Sequence, residues 1–227
     1  MLPIRDTLQT KTFPIITVIL IIVNISVFLY EISLGNEIEA FMESAGLVPK
    51  RCFQFALFGR GEYPNCYMSV LYSLFIHGGW IHLLGNMLFL KIFGDDVEDR
   101  LGHFKFLFFY LACGAGGSFL HLLTHPFSPI PIVGASGAIA GVMAAYLLLF
   151  PRAKIVTFIP IFIIPFFVDI PAFIFLGYWF FIQLFRGFLS VGSNFTQSGG
   201  VGWWAHIGGF VTGILFIKRF FRLSKSS

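Results

Sequence analysis

The stretch FPIITVILIIVNISVFLYEI at residues 13–32 is apolar along nearly its whole length. It is as long as the roughly 20 apolar residues that a helix needs to cross a bilayer. Arg5 and Lys11 precede it, which gives it the outline of a signal peptide. The run is long, however, and no small-x-small cleavage site follows at once, so it reads as an uncleaved first span. Five further apolar runs follow: Tyr67 to Phe93, Phe104 to Leu123, Ile132 to Phe150, Ile155 to Phe185 and Val201 to Phe221. Over 227 residues the chain is 57% hydrophobic and 11% charged, with 31 Phe, far too apolar for a soluble domain. Six spans with short connections use nearly the whole chain. The expected fold is all-α: a single membrane-embedded domain over residues 1–227, built as a six-transmembrane-helix bundle with short cytoplasmic tails.

Charge orients the bundle. The 15 Lys+Arg and 11 Asp+Glu leave a formal charge of +4, spread over loops and ends without the basic run that nucleic acid would need. With a cytoplasmic N-terminus, the inner side holds Arg5, Lys11, Lys91, Arg100, Lys105, Arg152, Lys154, Lys218, Arg219, Arg222 and Lys225, against Lys50, Arg51, Arg60 and Arg186 outside. The positive-inside rule then sets both termini in the cytoplasm of a multi-pass protein, with the plasma membrane as its expected location. Between Ser33 and Cys66, Phe41, Met42, Leu47, Phe53, Phe55 and Phe58 interleave with charges. This first outer loop reads as short amphipathic pieces in the interface. Cys52 and Cys66 flank that loop's second half and could pair in an oxidising compartment, or stay free thiols like Cys113. Pro160, Pro165 and Pro171 break the fifth run, so its first part should be extended or re-entrant, with the span beginning near Asp169.

Polar groups inside spans are costly and need a reason. The fourth run opens with Gly134-Ala135-Ser136-Gly137-Ala138-Ile139-Ala140-Gly141. That puts a serine in the first turn of a helix whose Gly137/Gly141 spacing permits close contact. Taken alone, this is a contact motif with a serine bonded to its own backbone. The sixth run holds Ala205-His206-Ile207-Gly208-Gly209 and then Gly213, so His206, Gly209 and Gly213 share one face. At about 1.5 Å per residue, Ser136 stands roughly 24 Å above Arg152 and His206 roughly 18 Å above Lys218. Both lie in the outer half of the membrane, and an imidazole is the usual base for a serine hydroxyl. The second run adds His77, His82 and Asn86, with His82 and Asn86 one turn apart. Their donors could hold an oxyanion together with free N–H groups at the start of the fourth helix. His77 and His82, five apart on one helix, diverge, and no cysteine or second carboxylate lies at ligand spacing, so no metal is expected. Glu98 and Arg100, in the inner loop after the second span, read as ties between helix ends.

In this order on six spans, these motifs resemble the rhomboid family of intramembrane serine proteases. GASGAIAG at 134–141 matches GxSGxxxG, AHIGG at 205–209 with Gly213 matches AHxxGxxxG, and HLLGN at 82–86 matches HxxxN. FIH at 75–77 and EDRLG at 98–102 match two lesser signatures. The resemblance implies Ser136 as nucleophile and His206 as general base in a dyad without aspartate. His82, Asn86 and the Ser136 amide would form the oxyanion hole, and His77 would support it. It implies no cofactor and no metal; the partners would be transmembrane protein substrates in a lipid bilayer, cut near the outer face. The fifth span and its neighbouring loop would form a lateral gate. Two positions depart from the pattern. Some members carry an aromatic four residues after the serine, stacked on the histidine, where this chain has Ala140. No Trp precedes Trp80, so the Trp-Arg pair of some members' first outer loop is missing. Asp169, taken to lie near the outer end of the fifth span, reads as a solvated interfacial residue. The competing reading is a non-catalytic relative that binds membrane helices, although such relatives usually lack the serine or the histidine.

Overall fold

The computed structural model describes residues 1–58, 66–161, 164–190 and 202–225. Strand β1 (Leu2–Asp6) leads into α1 (Ile15–Ser33). Three short helices follow, α2 (Ile38–Ala45), α3 (Pro49–Phe58) and α4 (Cys66–Ser73), and then the long α5 (Trp80–Leu101) and α6 (His103–Thr124). After α7 (Ser136–Leu149) come strands β2 (Lys154–Ile161) and β3 (Ile164–Pro171), then α8 (Ala172–Ser190) and α9 (Trp203–Lys225). Among the described residues, α1, α6 and α8 are long and apolar enough to cross a membrane, and α7 is a shorter apolar helix. Their outward faces leave Ile22, Leu29, Phe119, Phe181 and Phe188 exposed. Rows of bare apolar side chains on long helices require hydrocarbon around them, so the chain is an integral membrane protein.

The second apolar run is not one helix. It breaks after Ser73, and Gly79, at φ +152°, turns the backbone where other residues would be strained. From Trp80 the helix continues past Phe93 to Leu101, so Glu98 and Arg100 sit in its last turn rather than in a loop. Glu98 is wholly buried there. Its carboxylate accepts from the Ile16 amide at 2.8 Å, from the Thr17 amide and hydroxyl at 2.7 Å each, and faces His103 Nδ1 at 2.5 Å. A carboxylate on the free amides of a helix N-terminus satisfies orphan donors and opposes the helix dipole, so α5 holds the start of α1.

The all-α expectation is corrected by a three-stranded antiparallel sheet in the order β1-β2-β3. Pro160, Pro165 and Pro171 forbid helix, and the Ile, Val, Thr and Phe of residues 154–171 favour strands. β2 and β3 pair from Lys154↔Pro171 to Ile161↔Ile164, and β1 adds from Leu2↔Phe158 to Asp6↔Ile155. Pro160 lies beyond the stretch that β1 covers, and Pro165 is on an edge strand, where a missing N–H is tolerated. The extended first part of the fifth run and a helix starting just after Asp169 agree with the sequence. The position of Asp169 does not. The Ala172 amide donates to Ala153 O at 2.8 Å, tying the start of α8 to the end of α7 remote from Ser136. Asp169 therefore lies at that far end, 3.7 Å from Lys154 Nζ.

α7 occupies the centre, with Ala138, Val142, Ala144 and Tyr146 fully buried. Small residues let α6 and α9 close on it. A Cβ on Gly213 would lie 2.5 Å from Gly141 O, and one on Gly141 would overlap Cys113 of α6. Ahead of α7 the chain is held from two sides: Leu47 and Ile132 exchange both backbone hydrogen bonds, at 2.8 and 3.1 Å, and Gly134 N donates to Ser73 O at 2.8 Å. Cys52 and Cys66 form a disulfide, and Cys113 is free and buried.

Candidate active site

Ser136 opens α7 and His206 stands in the first turns of α9. His206 Nε2 lies 2.8 Å from Ser136 Oγ. That approach depends on missing side chains below it, because a Cβ on Gly209 would overlap the Gly137 carbonyl. The GxxxG spacings of the two helices thus bring a hydroxyl and an imidazole, 70 residues apart in sequence, into hydrogen-bond contact.

His82 and Asn86 line the same groove as Ser136 and His206. Gly134, at φ +117°, passes so close to α5 that a Cβ there would lie 2.6 Å from His82 Nε2 and 3.5 Å from Asn86 Nδ2. Asn86 Nδ2 is 2.9 Å from His77 Nε2, and amide NH₂ groups only donate, so His77 accepts there and its remaining N–H sits on Nδ1. Nδ1 faces Phe75 O at 3.3 Å, a carbonyl that can accept it. His77 is fully buried, and its own amide is shared between the two oxygens of Glu31 on α1, each at 3.2 Å. The rings of His77 and His82 do not diverge, as one continuous helix would require; they meet edge to face at 5.1 Å. The break at Gly79 frees His77 from the helical face pattern. Among the described residues, no three His, Cys, Asp or Glu side chains group as metal ligands.

A groove of about 900 Å³ runs past Ser136 and His206, bordered by Trp80, His82 and Phe89 of α5, by Met143 of α7 and by Trp179 of α8. Its walls are mostly apolar, with polar groups supplied by His82, Asn86, Ser136 and His206. Gly137, Gly141, Gly209 and Gly213 serve the helix contacts, whereas Gly134 serves the approach of His82.

Three residues escaped the sequence reading. Gln183 Oε1 lies 2.8 Å from His206 Nδ1, and Trp179, one turn earlier on α8, has its ring 5.8 Å from the His206 ring. Their signal was a glutamine within an apolar span, a cost that calls for a partner. Glu31 is a carboxylate at the end of a span, fully buried, and gave the same signal.

A family model for the rhomboid domain matches residues 64–223. Rhomboid-like protein 11, chloroplastic, of Arabidopsis thaliana is 39% identical over 83 residues, 37% of this chain and 29% of that protein. Rhomboid protein 1, mitochondrial, of Saccharomyces cerevisiae is 35% identical over 102 residues, 43% of this chain and 30% of that protein. Rhomboid protease AarA of Providencia stuartii is 30% identical over 144 residues, 57% of this chain and 49% of that protein. The chain thus spans less than a third of the plant and yeast relatives and about half of the bacterial one.

Proposed function

Because the chain belongs to the rhomboid family, we propose that it is an intramembrane serine endopeptidase that cuts transmembrane segments of other proteins near the outer face. The observation that carries this reading is the 2.8 Å contact between His206 Nε2 and Ser136 Oγ. Relatives named as proteases, in Bacillus subtilis and Providencia stuartii, support it.

Ser136 Oγ attacks the scissile carbonyl carbon while His206 Nε2 takes the hydroxyl proton. The carbonyl oxygen becomes an anion, held by the Ser136 amide at the head of α7 and by donors from His82 and Asn86. Collapse of this intermediate breaks the C–N bond, and His206 returns the proton to the departing amine. Water then enters, gives a proton to His206 as its oxygen bonds the acyl carbon, and the C–O bond to Ser136 breaks as His206 returns that proton to Ser136 Oγ. The enzyme needs no metal or cofactor for these steps.

The proposed setting is a single membrane-embedded domain with six spans, in which α5, α7 and α9 join α1, α6 and α8. Both termini face the cytoplasm, as the charge asymmetry favours, and the proposed location is the plasma membrane. The segment before α5 lies in the outer interface, and the groove between α5 and α8 admits the substrate from the bilayer.

The test is cleavage of a membrane-spanning reporter by purified protein in vesicles. Ser136→Ala should abolish cleavage while the protein keeps its helical content and thermal unfolding. Undiminished cleavage by that variant would reject the protease reading, and reporter binding without cleavage by the unaltered chain would point to a helix-binding relative.

A further inference from the structure

The second nitrogen of His206 has a partner that the dyad leaves out. Gln183 is 5% exposed and presents Oε1 to His206 Nδ1 at 2.8 Å. Its amide is fixed in direction, because Nε2 donates to Trp179 O at 3.2 Å. A backbone carbonyl only accepts, so the NH₂ end of the side chain is committed to Trp179 and the carbonyl end to the imidazole. That carbonyl also only accepts, so the hydrogen between Gln183 and His206 belongs to Nδ1. A neutral imidazole carries one N–H, which leaves Nε2 bare and turned toward Ser136.

Trp179 adds the second restraint. It shares an apolar cluster with Ala140, Ala144 and Phe210, and its ring lies 5.8 Å from that of His206. The space left by the small side chain of Ala140 on α7 is therefore bordered by an aromatic from α8. From these contacts we infer that Gln183 is a positioning residue, holding His206 in the tautomer that can take the Ser136 proton, with Trp179 bracing the ring. This inference rests on the dyad reading above and adds to it.

The chemistry suits a lipid setting. A carboxylate at this position would also orient the ring, but a buried charge in the bilayer carries a desolvation cost that an amide avoids. Gln183 and Trp179 both ride on α8, so the base is competent only while α8 is seated against α9. A movement of α8 that widens the groove toward α5 would withdraw the Nδ1 acceptor, and closure would restore it. Opening for substrate and readiness for chemistry are then opposed states of one helix.

The experiment measures phosphonylation of Ser136 by a fluorophosphonate probe as a function of pH, using the full chain in detergent. Gln183→Met, close in shape but without the acceptor, should lower the maximal labelling rate roughly tenfold to a thousandfold, less than the full contribution of a general base, at unchanged probe affinity. Gln183→Glu should recover much of that rate and move the acid limb of the profile to higher pH, because an adjacent carboxylate favours the protonated imidazole. Imidazole nitrogen NMR of the unaltered protein should place the His206 proton on Nδ1. A proton found on Nε2, or Gln183→Met labelling at the unaltered rate with the same pH profile, overturns the role of Gln183. If His206→Ala and Ser136→Ala still fail to label, the dyad survives that result. Labelling of His206→Ala at the full rate removes the dyad and the inference together.

Discussion

Gly209 on α9 faces the Gly137 carbonyl on α7 with no room for a methyl group between them. The obstacle would be backbone, which cannot rotate aside as the end of a flexible side chain can. Three residues further toward the N-terminus of α9 lies His206, so the spacing of these two backbones also sets the reach of the imidazole.

Gly209→Ala should therefore separate α7 from α9, at a cost of about 1–3 kcal/mol in stability. Misplacing a base by about an ångström can lower a rate on the order of a hundredfold. Gly177→Ala on α8 is the control, because a Cβ there meets nothing within 4 Å. Thermal unfolding and reporter cleavage, measured side by side, check both variants; equal behaviour of the two would refute the steric account.

Asn86 and His77 should behave as a unit. Asn86→Ala removes an oxyanion donor, and kcat should fall by about 10²–10³ with little change in KM. His77→Ala should cost less, since it acts by aiming the Asn86 amide through the 2.9 Å contact. The double variant should be no slower than Asn86→Ala alone, and additive losses would show that His77 works by another route.

Glu98→Gln should weaken the fold without touching the chemistry. It replaces the carboxylate that receives the Ile16 and Thr17 amides and the Thr17 hydroxyl. Loss of charge-assisted bonds at a buried site costs about 1–3 kcal/mol. The midpoint of thermal unfolding in detergent should drop, while the cleavage rate well below that midpoint stays within about twofold, a smaller change than any loss of a catalytic group.

The disulfide between Cys52 and Cys66 closes a sequence separation of 14 residues. Cys52→Ser should lower stability by up to about 3 kcal/mol, the scale for a loop of this size, with the cleavage rate retained. In intact cells a membrane-impermeant thiol reagent should label these cysteines only after reduction. Labelling from outside without reduction would show free thiols, and none even after reduction would place this loop on the cytoplasmic side.

Much of this arrangement can be read directly from the chain. Two apolar runs match α1 and α6, and the second part of the fifth matches α8, because apolar length is a local property, and the glycine spacings of α7 and α9 predict close contact because small side chains act by absence. Ser136 and His206 meet and His82 and Asn86 border the same groove, each being set on a helix whose face is fixed by its period. His77 does not follow that rule, since Gly79 ends the helical pattern between it and His82. Gln183 was legible only as an expense, a polar side chain in lipid, and its partner depends on how α8 is rotated, which no period in its own sequence determines. The sheet was half visible: prolines exclude helix over 154–171, but nothing local says that residues 2–6 complete it.

That long-range pairing has a bearing on how the protein is made. Leu2 stands opposite Phe158 in the sheet, and Asp6 receives the Tyr146 hydroxyl at 2.5 Å. β1 emerges from the ribosome early and its partner strand only after α7, so it must wait unpaired while the intervening helices are inserted. Closure of this sheet is then a late assembly step, a clasp that joins the strand ahead of α1 to the root of α8. A tag or rigid fusion placed directly against Leu2 would load that clasp, and its effect would be felt in biogenesis before it was felt in turnover.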